Sequence, residues 1–367
     1  MYVKSLTLNH YRNYDHLEVP FDKERIYITG QNGVGKTNIL EAIYFLTLGR
    51  SFRKADPVDL IQKGQKEASL YLTYFSEEDN KDHSVSCVLG PDYKIFALDD
   101  EKVKNVSKIL GKLIAVYYEP SLVFFFQSEP EGRRKFLDET LSQLSPNYLY
   151  ALARYKKLLK ERNSALQQNY DPDIIKVLRN QLINLSYRIV LDRYHLIQEL
   201  SKKSQVYYHH LFGSEEKNFL LRYKTTCPLD EDQESYVKNA LALFEANQSV
   251  ESIRKLTMIG PHRDDLLALL DGNDLADYGS QGENRLASLS LRLASLDILT
   301  ERLKKRPLLL LDDITSDLDE VRTKNLLSCL NQGEQIFLTG TLIREGFEHY
   351  SIYLAENNQL HKKEDKQ

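Results

Sequence analysis

Cysteine is scarce: Cys87, Cys227 and Cys329 are the only three in 367 residues. Odd in number and far apart, they offer neither a disulfide framework nor a zinc site, and they read as free thiols of a cytosolic protein. No run of 18 apolar residues exists, so no membrane span is expected. The longest apolar runs, "LIAVYY" and "PLLLL", have the length of strands. The opening "MYVKSLTLNHYRNYDHLEV" alternates and carries charge, unlike a signal peptide. Internal repeats and low-complexity tracts are missing. So is an overall positive charge: the formal net charge is -4, where a dedicated DNA binder is often basic. The charge is uneven, however. Residues 151 to 204 hold eleven Lys or Arg against five Asp or Glu, enough for a local basic face.

What is present starts with two short strands at 2–8 and 17–19 around a polar turn. A strand at 25–29, "RIYIT", runs into "GQNGVGKT", and "NILEAIYFLTLG" follows with helical spacing. From 68 to about 117 the chain alternates as antiparallel strands do. Near 130 it turns helical. Ser145 before Pro146 marks a helix start, and 169–173 is the turn between two long helices. Strand patterns return from about 217. These signals predict an α/β protein in three stretches: 1–119 and 211–367 as one lobe, and 120–210 as a mainly helical lobe inserted into it.

Gly30 to Thr37 match the phosphate-binding loop, with four residues between Gly30 and Gly35, then Lys36 and Thr37. Glycines let backbone N–H groups curl around phosphate oxygens, and the helix that follows turns its free N–H groups and positive dipole end to the same anion. Lys36 can reach the β- and γ-phosphates, and the Thr37 hydroxyl can ligate magnesium. "PLLLLDD" reads as a strand covered on both faces, ending in Asp312 to hold Mg2+ and Asp313 to orient or deprotonate water. Ser316 or Asp317 would cap the next helix. Ser280, ahead of a helix with Leu286, Leu289, Leu293 and Leu296 on one face, offers a second phosphate surface. It could cap a nucleotide held by a partner chain, as in ABC-type ATPases.

Six segments, in this order, carry a resemblance over essentially the whole length: "YRNY", "GQNGVGKTNILEAIYFLTLGRSFR", "EGRRKFLDETLSQLSPNYLYALARYKKLLKERN", "IGPHRDDL", "YGSQGENR" and "LLLLDDITSDLDEVR". The chain resembles the RecF family, recombination-mediator ATPases related to the SMC proteins. The resemblance implies a P-loop NTPase of the ABC/SMC-head type. ATP would lie on Gly30, Gln31, Asn32, Gly33, Val34, Gly35, Lys36, Thr37 and Asn38, with Arg12 from the first strands and Ser280, Gln281, Gly282 and Glu283 acting in trans. Thr37 and Asp312 would hold Mg2+, with Lys36, Asp312, Asp313 and Ser280 catalytic. Residues 316–319 would form the D-loop, and Thr339-Gly340-Thr341 stands where other ABC ATPases have a switch histidine. Asp313, where SMC-type ATPases have glutamate, would suit slow hydrolysis.

The resemblance also implies duplex or gapped DNA bound without sequence preference, an ATP-dependent homodimer, and RecO- and RecR-like partners. The work would be recombinational repair, replication restart and the SOS response, in the cytoplasm at the nucleoid, with no membrane. Arg154, Lys156, Lys157, Lys160, Arg162, Lys176, Arg179, Arg188 and Arg193 are candidate phosphate contacts, as are Arg50 and Arg53. Competing readings are a transporter ATPase subunit, a kinase that shares only the loop, and an SMC-like chromosome tether, which would need a longer heptad arm than this insert provides.

Overall fold

The computed structural model describes residues 1–363 apart from 23, 24, 54, 105, 231, 315–317, 331–334, 344, 345 and 348. Contacts divide the chain into two units. One comprises 1–122, 210–213 and 295–367, and the other 123–209 and 214–294.

The first unit contains two six-stranded sheets. In one, the order is Gln359–Lys362, Ser351–Glu356, Arg25–Thr29, Ile336–Gly340, Leu308–Leu311, Ala115–Tyr118, parallel except for the first pair. Its central strands are continuous apolar runs because both faces are covered; all four leucines of Leu308–Leu311 are buried. The other sheet is an antiparallel meander led by Tyr14–Pro20 and Tyr2–Tyr11 and extended through Ala68–Ser76, Lys81–Leu89, Lys94–Leu98 and Glu101–Val103. Helix Lys36–Leu48 touches strands of both sheets and is buried on nearly every side. A helix with apolar residues on nearly every side is expected to be buried in this way.

The second unit is built on helices Pro130–Leu144 and Pro146–Gln167 and most of Pro172–Phe212. Ser145 caps the second of these, its side chain accepting from the Tyr148 N–H at 3.2 Å with Pro146 in the first turn. A three-stranded sheet, in the order Asn273–Asp274, Asp265–Leu270, Phe219–Lys224, belongs to the same unit. Ile183, Cys227, Tyr236, Ala240, Phe244 and Ile259 form a core cluster.

This grouping differs from the sequence reading, which assigns everything after 210 to the nucleotide-binding lobe. Residues 214–294 belong with the helices instead. Strand Asp265–Leu270 packs on helix Pro130–Leu144, and Arg133 grips Asp265 with Nε at 2.7 Å and Nη2 at 2.8 Å. Long-range pairing of that kind leaves no local trace in the sequence.

His262 of "IGPHRDD" sits in this unit with a defined tautomer. One ring nitrogen, Nε2, faces the Thr257 carbonyl at 3.0 Å and must donate, so Nδ1 accepts from the Tyr155 hydroxyl at 2.6 Å. Burial, helped by Arg263, Arg134 and Arg193, pushes its pKa down to about 4. An unfolded histidine titrates near 6.5. Between those values the unfolded chain takes up a proton that the folded chain refuses, so stability falls as pH drops through that window. The loss is expected to reach up to about 3 kcal/mol. Urea unfolding at pH 7.5 and pH 5 should show it, and His262→Gln should flatten the difference. An unchanged slope in that variant would remove His262 as the cause.

Candidate nucleotide site

Strand Arg25–Thr29 ends at Gly30, and helix Lys36–Leu48 begins at Lys36. Between them the backbone is left-handed at Gly33 (φ 84°) and at Gly35 (φ 106°). A side chain at Gly33 would point into open space. One at Gly35 would lie 2.6 Å from the Asn13 side chain and 2.8 Å from the Tyr14 hydroxyl. Glycine is therefore required at Gly35 by both conformation and contact. The helix start has no side-chain cap and no acidic residue in its first turn; the Asn38 N–H donates to the Gly35 carbonyl at 2.9 Å, and no side chain competes with an outside anion for the N-terminal end of the helix. Lys36 is buried and donates from Nζ to the carbonyls of Gly30 at 2.7 Å and Gln31 at 2.9 Å. Burial lowers its pKa, opposed by Asp313 and Asp312. Gln31 and Asn32 are exposed and line an open cavity of about 700 Å³ together with Thr341, Ala355 and Asn357.

Asp312 follows the buried strand Leu308–Leu311, two strands from the loop. Its Oδ1 accepts from the Thr37 hydroxyl at 3.0 Å and the Thr339 hydroxyl at 2.6 Å. The Asp313 N–H donates to that Thr339 hydroxyl at 2.8 Å. Burial raises the Asp312 pKa, and its hydrogen bonds to Thr339 and Thr37 partly offset this. A carboxylate raised by burial, touching the hydroxyl next to the phosphate loop, is a hard-oxygen pair that a magnesium ion would suit. The residues present thus fit both a triphosphate and its metal.

Other predicted residues are placed differently from one another. Arg12 lies near the loop, yet its guanidinium grips the fully buried Glu41 through Nε at 2.9 Å and Nη2 at 2.7 Å. Asn38 and Val34 bond to Asn13. Ser280, Gln281, Gly282 and Glu283 belong to the second unit, at the start of helix Gln281–Leu303. There the Ser280 N–H and hydroxyl both donate to Glu283 Oε2 at 2.9 Å, while the Glu283 N–H donates to Ser280 Oγ at 3.2 Å. That is a closed capping box. The predicted cap residues Ser316 and Asp317 lie outside the described residues. Helix Glu320–Cys329 is capped by Asp319, which accepts from the Arg322 N–H at 2.8 Å.

Two candidate phosphate contacts need correction. Arg162 is 3% exposed and Arg193 2%. Arg162 bonds Glu251 at 2.6 Å and Thr257 at 2.8 Å; Arg193 bonds Asp138 at 2.7 Å and the Pro261 carbonyl at 2.7 Å. Both hold the second unit together. Their positions gave a signal: Arg193 follows Ile189 by four and precedes Ile197 by four, and Arg162 follows Leu158 by four, so each sits on an apolar helix face. Arg154, Lys157, Lys160 and Lys176 are exposed. Lys156 is exposed but lies 3.6 Å from Asp138. Arg188 and Arg179 lie within ion-pair distance of Asp192 and Glu245, and Arg53 donates to Asn38. Glu41 and Asn13 were not singled out from sequence. Glu41 was detectable as the one carboxylate inside an otherwise buried helix.

A phosphate loop at the end of a parallel strand, with a carboxylate brought in on a strand of the same sheet, defines a P-loop ATPase head of the ABC/SMC type. The family model described as "RecF/RecN/SMC N terminal domain" matches residues 2–359. The DNA replication and repair protein RecF of Halalkalibacterium halodurans is 34% identical over 375 residues, covering 99% of this chain and 100% of that one. That of Streptococcus gordonii is 36% identical over 346 residues, 94% of each. This chain belongs to the RecF family. A solved structure described as the recombination mediator protein RecF-ATP in the RecFOR pathway superposes with a TM-score of 0.92 at 27% identity, covering 99% of this chain and 98% of that one. An SMC head bound to the C-winged helix domain of ScpA, at 17% identity, shares the fold with a TM-score of 0.58, covering 100% of this chain and 98% of the other.

Proposed function

We propose that this chain is an ATP-dependent DNA-binding protein of recombinational repair and replication restart, with slow ATP hydrolysis resetting it. The observation that carries this reading is the hydrogen-bonded cluster Thr37, Asp312 and Thr339 beside a phosphate loop whose Lys36 holds the loop carbonyls and whose helix has no side-chain cap. Gly30 to Asn38 bind and orient the triphosphate, and Lys36 leaves the loop carbonyls for phosphate oxygens. Thr37 and Asp312 would hold Mg2+, which when bound would supply charge neutralisation to the phosphates. Asp313 orients the attacking water. Ser280 of a second copy caps the γ-phosphate once Glu283 releases it, so ATP joins two chains. Exposed Arg154, Lys157, Lys160 and Lys176 supply backbone contacts to duplex or gapped DNA.

We infer partners of the RecO and RecR kind, a reading in keeping with the RecFOR pathway named for a solved relative, and we propose that the work is done at the nucleoid in the cytoplasm. Among the described residues no helix is long and apolar enough to cross a membrane. Light scattering with and without ATP and magnesium, then with duplex DNA, tests the reading. Wild type is expected to double in mass with nucleotide, and Ser280→Arg to bind ATP yet stay monomeric. A wild type that binds ATP and never doubles, with or without DNA, would sink trans capping.

A further inference from the structure

We propose that Asn13, the neighbour of Arg12 in "YRNY", is a positioning residue of the phosphate loop: it sets the rotation of the Val34–Gly35 peptide. The inference rests on the ATP-site reading above and extends it to a residue that this reading does not use.

A phosphate cradle works only if its N–H groups point inward. Each trans peptide carries its N–H and C=O on opposite sides, so turning a carbonyl outward turns the following N–H inward. The Gly30 and Gln31 carbonyls are taken by Lys36. The Val34 carbonyl is taken by Asn13, whose Nδ2 donates to it at 3.1 Å. The peptide so held ends in Gly35, at φ 106°, where glycine allows a flip at little steric cost.

The direction of the Asn13 amide is itself dictated. An arginine can only donate. Arg53 Nη1 meets Asn38 Oδ1 at 3.0 Å, so Asn38 turns its Nδ2 away, onto Asn13 Oδ1 at 2.7 Å. Asn13 must then present Nδ2 to Val34 and, with its second hydrogen, to Asn358 Oδ1 at 2.7 Å. The relay therefore runs from a fixed cation to one loop carbonyl, and every donor in it is assigned by chemistry.

The test separates donor direction from bulk. Asn13→Asp keeps shape but puts an acceptor against two oxygens, whereas Asn13→Ala only removes the donor. ATP affinity is expected to weaken about 30-fold in Asn13→Asp and about 3-fold in Asn13→Ala, the larger loss reflecting an acceptor forced against a carbonyl. The loss should fall on KM, with kcat at saturating ATP within about twofold of wild type. Melting without nucleotide keeps misfolding in view. Asn358→Ala, which leaves the Val34 contact in place, should bind ATP as wild type does. An alanine variant weaker than the aspartate variant would mean that Asn13 merely fills space and would overturn the inference. So would wild-type affinity in Asn13→Asp. A wild type that fails to bind ATP at all would overturn the site reading and this inference together.

Discussion

In Lys36→Ala, ATP affinity is expected to fall by at least about a hundredfold, near 2.7 kcal/mol. Lys36 makes two hydrogen bonds to loop carbonyls, at 2.7 and 2.9 Å, that phosphate oxygens would replace. Hydrogen bonds to a charged group contribute about 1.5–3 kcal/mol each, so losing one or two accounts for the effect. The buried ammonium is also held against its own desolvation, which lowers its pKa. Removing it should cost the nucleotide-free fold little. Calorimetric titration with ATP and melting without it check both halves. Affinity within threefold of wild type would show that the loop backbone alone holds the ligand.

Asp138→Ala is expected to destabilise the second unit by about 3–5 kcal/mol, because it strands a buried guanidinium. Arg193 is 2% exposed, and its Nη2 and Nε point at Asp138 Oδ1 from 2.7 and 3.2 Å. Tyr148 donates to the same oxygen at 2.6 Å. Replacing both charges with apolar residues, Asp138→Leu with Arg193→Met, should recover most of the loss. Urea midpoints of the single and double variants decide this; a double variant as unstable as the single would argue against a stranded charge. Acid adds a second check. Burial pushes the Asp138 carboxyl up, but the Arg193 and Lys156 charges and the Tyr148 bond hold it below the usual carboxylate range. Its contribution is therefore present above about pH 4 and is lost as pH falls through the lower folded value.

The two arginines show where sequence reading stops. Glycine spacing, the strand before Gly30 and the leucine run before Asp312 are local signals, and the structure forms strand Arg25–Thr29, helix Lys36–Leu48 and strand Leu308–Leu311 there. Arg162 and Arg193 look like any other cation on a basic helix until their partners Glu251 and Asp138, 89 and 55 residues away, are known. The same holds for Ser280, whose hydroxyl reads as a phosphate contact but is engaged by Glu283 three residues on. The spacing of that capping box was visible; which ligand the serine holds was not. The role proposed for Asn13 rests on a relay through Asn38 and Arg53, brought together by the fold of the one chain, in which no member is unusual by itself.

The bond between Thr37 and Asp312 joins residues 275 positions apart. On the ribosome, at roughly 5–20 residues per second, that separation corresponds to about 14–55 s between the emergence of the two halves. Throughout that interval the nascent chain displays the phosphate loop without the carboxylate and without strands Ile336–Gly340 and Ser351–Glu356, which flank Arg25–Thr29 in the sheet. A nucleotide that needs both the loop and Asp312 therefore finds its complete site only on chains in which both segments have been made.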